Sequence, residues 1–250
     1  MLAFSILLFS GCAEEKPASV MPVNTDSELA RELYETGLVA YDQLKYELAR
    51  DNFRSAIKAD PNFFMAYFWL YFITDKESKD LANKAFEADI QLTPGEKLVK
   101  AAWKYMMDGQ NEKVVEQLNK LIDLYPGDPN VHKILYILQF HYFDDTEAAI
   151  KSIERAIKDC PDYPLAYNQL GYAYMEIKQY EDAEKAFDKY IQLAPNIANP
   201  YDSKGDYFMA TKEYKKAYDS YMKAYEIDPE FEVSKQKAQK ALMMLEKTEG

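Results

Sequence analysis

From about residue 28 to residue 230, apolar residues recur at spacings of three and four, interrupted by short polar turns, a pattern that predicts paired amphipathic helices and no strands. The clearest unit runs from Pro164 to Pro195, PLAYNQLGYAYMEIKQYEDAEKAFDKYIQLAP. Tyr167, Leu170, Gly171 and Tyr174 fall on one helical face, and Ala183 and Phe187 repeat that logic on a second helix. Lys178-Gln179-Tyr180 reads as the turn between them. Gly171 and Ala183 are small where the two helices come closest, with Tyr174 and Phe187 expected to fill the space beside that contact. Pro164 fits the first turn of a helix, where its missing donor does no harm. Pro195 cannot donate into a continuing helix, so the second helix stops at or before it.

The unit recurs. Prolines 61, 94, 126, 161, 195 and 229 lie 33, 32, 35, 34 and 34 residues apart, and each is expected to close one unit. The first unit has Gly37, Ala49, Phe53 and Ala56, the sixth Gly205, Ala217, Tyr221 and Ala224. The second, third and fourth keep Ala82 and Phe86, Leu118 and Leu121, and Ala149 and Ala156, without a glycine at the first-helix contact. The set aromatic-x2-Leu-Gly-x2-Tyr, Ala-x3-Phe and Pro at a period near 34 resembles the tetratricopeptide repeat, with Tyr167 in place of the usual Trp. The resemblance implies an all-α solenoid: a right-handed superhelix of six helix-turn-helix repeats at about 28–61, 62–94, 95–126, 127–161, 162–195 and 196–229. Residues 231–250 form a capping helix and tail, since a repeat array needs a polar terminal element.

Charge narrows the partners. Lys and Arg number 30 against 42 Asp and Glu, a formal net charge of −12 with a pI near 4.8. Such a chain is a poor match for nucleic-acid phosphates or anionic headgroups. The first stretch alters the picture once more. MLAFSILLFSGC is an apolar run ending in small residues and a cysteine, and Phe9-Ser10-Gly11-Cys12 resembles the lipobox of bacterial lipoproteins. That resemblance implies a signal peptide over 1–11 and lipidation at Cys12, hence a lipid-anchored protein of the bacterial cell envelope, at the periplasmic or surface face of the outer membrane. Residues 12–27 hold two prolines and no sustained period, as a flexible tether would.

Candidate chemistry is sparse. The eight glycines never form a GxGxxG fingerprint, a phosphate-binding loop or a GxSxG elbow. His132 and His141 are nine residues apart, half a turn out of phase on one helix, so they do not share a metal. Cys160, before Pro161, has no partner with which to build a disulfide framework. A non-enzymatic protein without metal or cofactor is the expectation.

In tetratricopeptide proteins the first helix of each repeat lines the concave groove. Counting from the closing prolines puts Tyr67, Tyr71, Trp103, Met106, Leu138, His141, Asn168, Tyr172, Asp202 and Asp206 on that surface. The resemblance therefore implies a scaffold that binds another protein through an apolar or aromatic peptide or helix, with basic residues near Asp202 and Asp206. These positions lack the Lys and Arg that a carboxylate clamp needs. The alternative is a glycan or other small ligand stacked on Tyr67, Tyr71, Trp103 and Tyr172.

Overall fold

The computed structural model describes residues 20–74, 78–87 and 91–249; the signal-peptide reading and Cys12 lie outside them. Thirteen α-helices follow one another among the described residues. They pair as α1 (Glu28–Asp42) with α2 (Tyr46–Ala59), α3 (Phe64–Phe72) with α4 (Ser78–Glu87), and α5 (Pro94–Met107) with α6 (Asn111–Leu124). The array continues with α7 (Pro129–Ile137) and α8 (Thr146–Asp159), α9 (Pro164–Glu176) and α10 (Tyr180–Leu193), α11 (Ala198–Ala210) and α12 (Tyr214–Ile227), then α13 (Glu232–Glu249). Six pairs and a terminal helix are the expected solenoid.

Four of the turns inside the pairs share one geometry. Lys45, Gln110, Gln179 and Glu213 each donate a backbone N–H to the carbonyl five residues back, at 2.8–2.9 Å. This closes the first helix through a left-handed residue: Leu44 (φ 58°), Gly109 (70°), Lys178 (61°) and Lys212 (65°). Glycine works differently, by leaving room. A Cβ on Gly171 would lie 2.6 Å from the Phe187 ring, on Gly37 2.6 Å from Phe53, and on Gly205 2.5 Å from Tyr221. The aromatic ring of the second helix thus sits directly on the glycine, where the sequence pattern placed it alongside.

In three pairs the order of the sequence shifts. Pro94 opens α5 instead of closing the preceding unit: it follows the N-cap Thr93, which shares a capping box with Glu96. Aligning the helix starts equates Trp103 with Ala173 and Lys133 with Asn168. It also puts Tyr71 and Tyr136 where Gly171 stands, so the second and fourth pairs cannot close in the same manner. α7 runs on into a single π-helical turn, Leu138–Tyr142, an insertion that advances its last side chains relative to a regular helix.

The segment before α1, expected as part of a flexible tether, is pinned from Met21 onward. The Met21 N–H donates to Asp128 Oδ2 at 2.9 Å, the Asn24 N–H to Glu96 Oε1 at 3.0 Å, and the Thr93 hydroxyl to the Pro22 carbonyl at 3.1 Å. The Arg31 guanidinium donates to the carbonyls of Val23 and Thr25 at 3.3 and 3.0 Å. The Met21 side chain rests over Gly95, where a Cβ would come within 2.6 Å of it. This strap crosses the starts of α5 and α7, giving its N–H groups to the carboxylates of Glu96 and Asp128, residues that themselves belong to the N-terminal caps of those helices. At the other end, α13 packs through Ser234, Ala238 and Ala241, all buried, and leaves Val233, Leu242 and Met243 exposed. The rest of its exposed face is polar, with Glu232, Lys235, Gln236, Gln239, Lys240, Glu246 and Lys247, as a terminal helix of a repeat array requires.

Candidate functional site

The α1–α2 hairpin does not stop at its neighbour. Its tip, Tyr41 to Tyr46, meets residues of the fourth, fifth and sixth pairs. Asp42 forms an ion pair with Lys133 of α7 and accepts a hydrogen bond of 3.0 Å from the hydroxyl of Tyr163, just before α9. Lys45 pairs with Asp228, beyond α12, at 3.2 Å. The Lys133 ammonium, fully buried, also sits over the rings of Trp69 and Tyr41, at 4.9 and 5.1 Å. Burial pulls its pKa down while Asp42 opposes that shift. The first hairpin is thereby tied to the fourth, fifth and sixth pairs.

Beside the tip lies an apolar cleft of about 500 Å³. The hairpin supplies Tyr41, Leu44 and Tyr46; α7 and its π turn supply Tyr136, Ile137, Phe140 and His141; α9 supplies Leu165, Asn168, Tyr172, Met175 and Glu176. Tyr136 and Phe140 stack with centroids 5.5 Å apart, and the His141 ring stands edge-on to Phe140 at 4.9 Å. The π turn brings Phe140 and His141 to the same opening. Burial lowers the His141 pKa, which keeps the ring neutral at pH 7. The Asn168 carboxamide oxygen is buried without a hydrogen-bond partner, and Tyr172 donates to Asp206 at 2.8 Å. Burial, with Asp206 adding to it, holds the Tyr172 phenol well above its ordinary value.

Of the ten residues that the sequence placed on a groove, His141, Asn168 and Tyr172 meet in this cleft. Five others belong to the interior. Trp103 is 1% exposed, ringed by Phe64, Phe68, Tyr71 and Phe86 at 6.0, 5.4, 4.9 and 4.9 Å. Tyr67 and Leu138 are buried, and Tyr71 and Met106 pack against the same core half-covered. Trp103 was placed by counting back from Pro126, which sets it level with Tyr172; counted from the start of α5 at Pro94 it stands one position on, level with Ala173, on the helix-packing face. Asp202 and Asp206, expected to meet basic residues of a partner, are met from within. Lys237 of α13 reaches Asp202 Oδ2 at 2.6 Å and Asp206 at 3.0 Å, Ser234 donates to Asp202 at 2.6 Å, and Tyr221 to Asp206 at 2.7 Å.

Sequence reasoning passed over Tyr41, Asp42 and Lys133. The signal that would have found Lys133 is Asp128-Pro129, an N-cap followed by a first-turn proline, which sets the register of α7. The other histidine, His132, is buried, with Nε2 2.8 Å from the Pro126 carbonyl.

Comparison with known families fits the architecture. The tetratricopeptide repeat matches residues 34–70, 144–178, 164–197 and 198–231, about half of the chain and including every pair that carries the ring-on-glycine contact. The chain belongs to the tetratricopeptide repeat family. No curated protein matches it. Among solved structures, a thermophilic tetratricopeptide protein in Thermus thermophilus shares 16% identity, with a TM-score of 0.54 over 86% of this chain and 99% of that one. The MamA protein shares 22% identity over 81% of this chain and 93% of its own, at a TM-score of 0.43. MamA 41-end from Desulfovibrio magneticus RS-1 shares 20% over 61% and 92%, at 0.46. These likenesses concern the fold alone. Tetratricopeptide repeats make this chain a scaffold for other proteins.

Proposed function

We propose that this tetratricopeptide protein is a non-enzymatic scaffold of the bacterial envelope, anchored by lipid at Cys12, that holds a partner protein by an apolar or aromatic segment seated in the cleft between the first hairpin and α9. The observation that carries the reading is the cleft itself. Aromatic and aliphatic side chains line an opening of about 500 Å³ in a chain whose other apolar rings are mostly sealed, and such a concavity with a few polar groups is where ligands settle. The neutral His141 supplies a polar contact that orients a bound segment. The anchor reading rests on Phe9-Ser10-Gly11-Cys12. Among the described residues no helix is long and apolar enough to cross a membrane.

Burial of Trp103 and Tyr67 removes two of the four rings on which stacking of a glycan depended. A photoreactive residue at His141, in cells producing the full chain, tests the scaffold reading. A discrete protein adduct is expected there and none from the same residue at Leu124, exposed elsewhere on α6. No adduct at His141 contradicts it. Radiolabelled palmitate incorporated by the wild type and not by Cys12→Ser tests the anchor.

A further inference from the structure

The contacts that close the array have the form of a bound ligand. Lys133 stands at the inner-face position that Asn168 holds in the next pair, and its side chain is wholly covered. A buried ammonium is costly unless a carboxylate meets it, and the one that does comes from Asp42, 91 residues away in the chain. Around that pair the wall is aromatic: Trp69 below the ammonium and Tyr163 donating to the same carboxylate. Tyr41, adjacent to Asp42, lies 5.3 Å from Trp69. The rest of the hairpin's attachment is different in kind. At its start, the strap and Arg31 hold α1 through backbone hydrogen bonds. At its tip, apart from this pair, the ionic tie is the half-exposed Lys45 with Asp228. Leu44 at the tip also adopts a left-handed φ of 58°, which an aliphatic side chain tolerates poorly.

We infer that Lys133, Trp69 and Tyr163 form a receptor for an aromatic–acidic pair on a partner helix, which the chain fills with its own Tyr41 and Asp42 until a partner displaces the hairpin tip. The strap end is the pivot and the tip the moving part. The partner class follows from the occupant: an amphipathic helix whose last turn carries a tyrosine or similar ring followed by Asp or Glu. This inference builds on the scaffold reading but makes its own demand, since its readout is the chain's own segment; adduct formation at His141 can succeed while it fails, and the reverse.

The test uses the full chain and a synthetic peptide of residues 28–46 as the probe. In the Asp42→Asn chain, hydrogen exchange is expected to show faster exchange over the second half of α1 with α9–α12 unchanged. That chain is expected to bind the probe at least tenfold more tightly than it binds the same peptide carrying Asn for Asp42, and Lys133→Met added to the chain is expected to abolish the difference. Lys45→Ala, an exposed change that leaves the core intact, is expected to speed exchange of the tip alone, and it carries the test should circular dichroism show Asp42→Asn unfolded. Unchanged exchange in Lys45→Ala, a hairpin still protected in a folded Asp42→Asn chain, no probe binding to that chain once its hairpin is freed, or equal binding of the two peptides would each overturn the inference.

Discussion

Trp103→Ala is the substitution that separates a groove ring from a core ring. At 1% exposure, Trp103 touches four other rings, three from α3 and one from α4, so its removal opens a cavity that α3, α4 and α5 cannot readily fill. Truncating a buried Trp costs about 3–5 kcal/mol. Its indole N–H is buried without a partner, and relieving that desolvation returns about 1–3 kcal/mol, which places the net loss at about 2 kcal/mol. Trp103→Phe removes the orphan donor and keeps most of the packing, so it should cost about 1 kcal/mol or less by the same terms. Urea unfolding followed by circular dichroism reads both. With a slope of about 2–3 kcal/mol/M, the midpoint should fall by about 1 M for Ala and barely move for Phe. An Ala variant as stable as the wild type that nonetheless loses its adduct at His141 would refute the burial argument and return Trp103 to the binding surface.

The remaining expectations concern single contacts. Gly171→Ala places a Cβ 2.6 Å from the Phe187 ring and should cost about 1–3 kcal/mol by overpacking, with part of the loss recovered when Phe187→Leu is added; an unchanged thermal midpoint would dismiss the ring-on-glycine contact. Burial depresses the His132 pKa below its ordinary 6.5, so the unfolded chain binds more protons as pH falls. Stability attached to His132 is therefore present above pH 6.5 and lost on acidification below it, and His132→Gln should flatten that slope in urea titrations run from pH 7.5 to 5. Lys237→Met leaves Asp202, 6% exposed in its side chain, without its ammonium. Lys237 is a third exposed, so the cost should be about 2 kcal/mol, below that of a fully buried pair, and it should appear as faster hydrogen exchange in α13 before any other helix.

Much of the fold is legible without coordinates because its signals are local. Gly37, Gly171 and Gly205 mark the close contact in each well-formed pair, and prolines near 34-residue intervals mark the breaks. Those cues are steric and act within one repeat. The binding surface was harder to read for two physical reasons. α5 is one residue longer than α9, so counting it back from Pro126 moved Trp103 by one position, off the packing face and onto the apparent groove. More deeply, Asp42 and Lys133, like Tyr163 and Asp42, meet across 91 and 121 residues. Such contacts arise from the curvature summed over four pairs, where two large tyrosines replace glycine, and no window of sequence contains that sum. Lys237 illustrates the same limit: an acidic end at Asp202 and Asp206 was visible, yet the helix that neutralises it comes from the end of the chain.

Spin labels at the exposed positions 47 and 230 test the closure itself most directly, because they flank Lys45 and Asp228, which touch at 3.2 Å between the tip of the first hairpin and the turn after α12 and stay in place. Pulsed dipolar spectroscopy on the full chain in solution should return one narrow distribution at the short end of the method's range. A broad distribution centred at long distances would mean an open solenoid, and with it the loss of both the cleft and the self-occupied receptor.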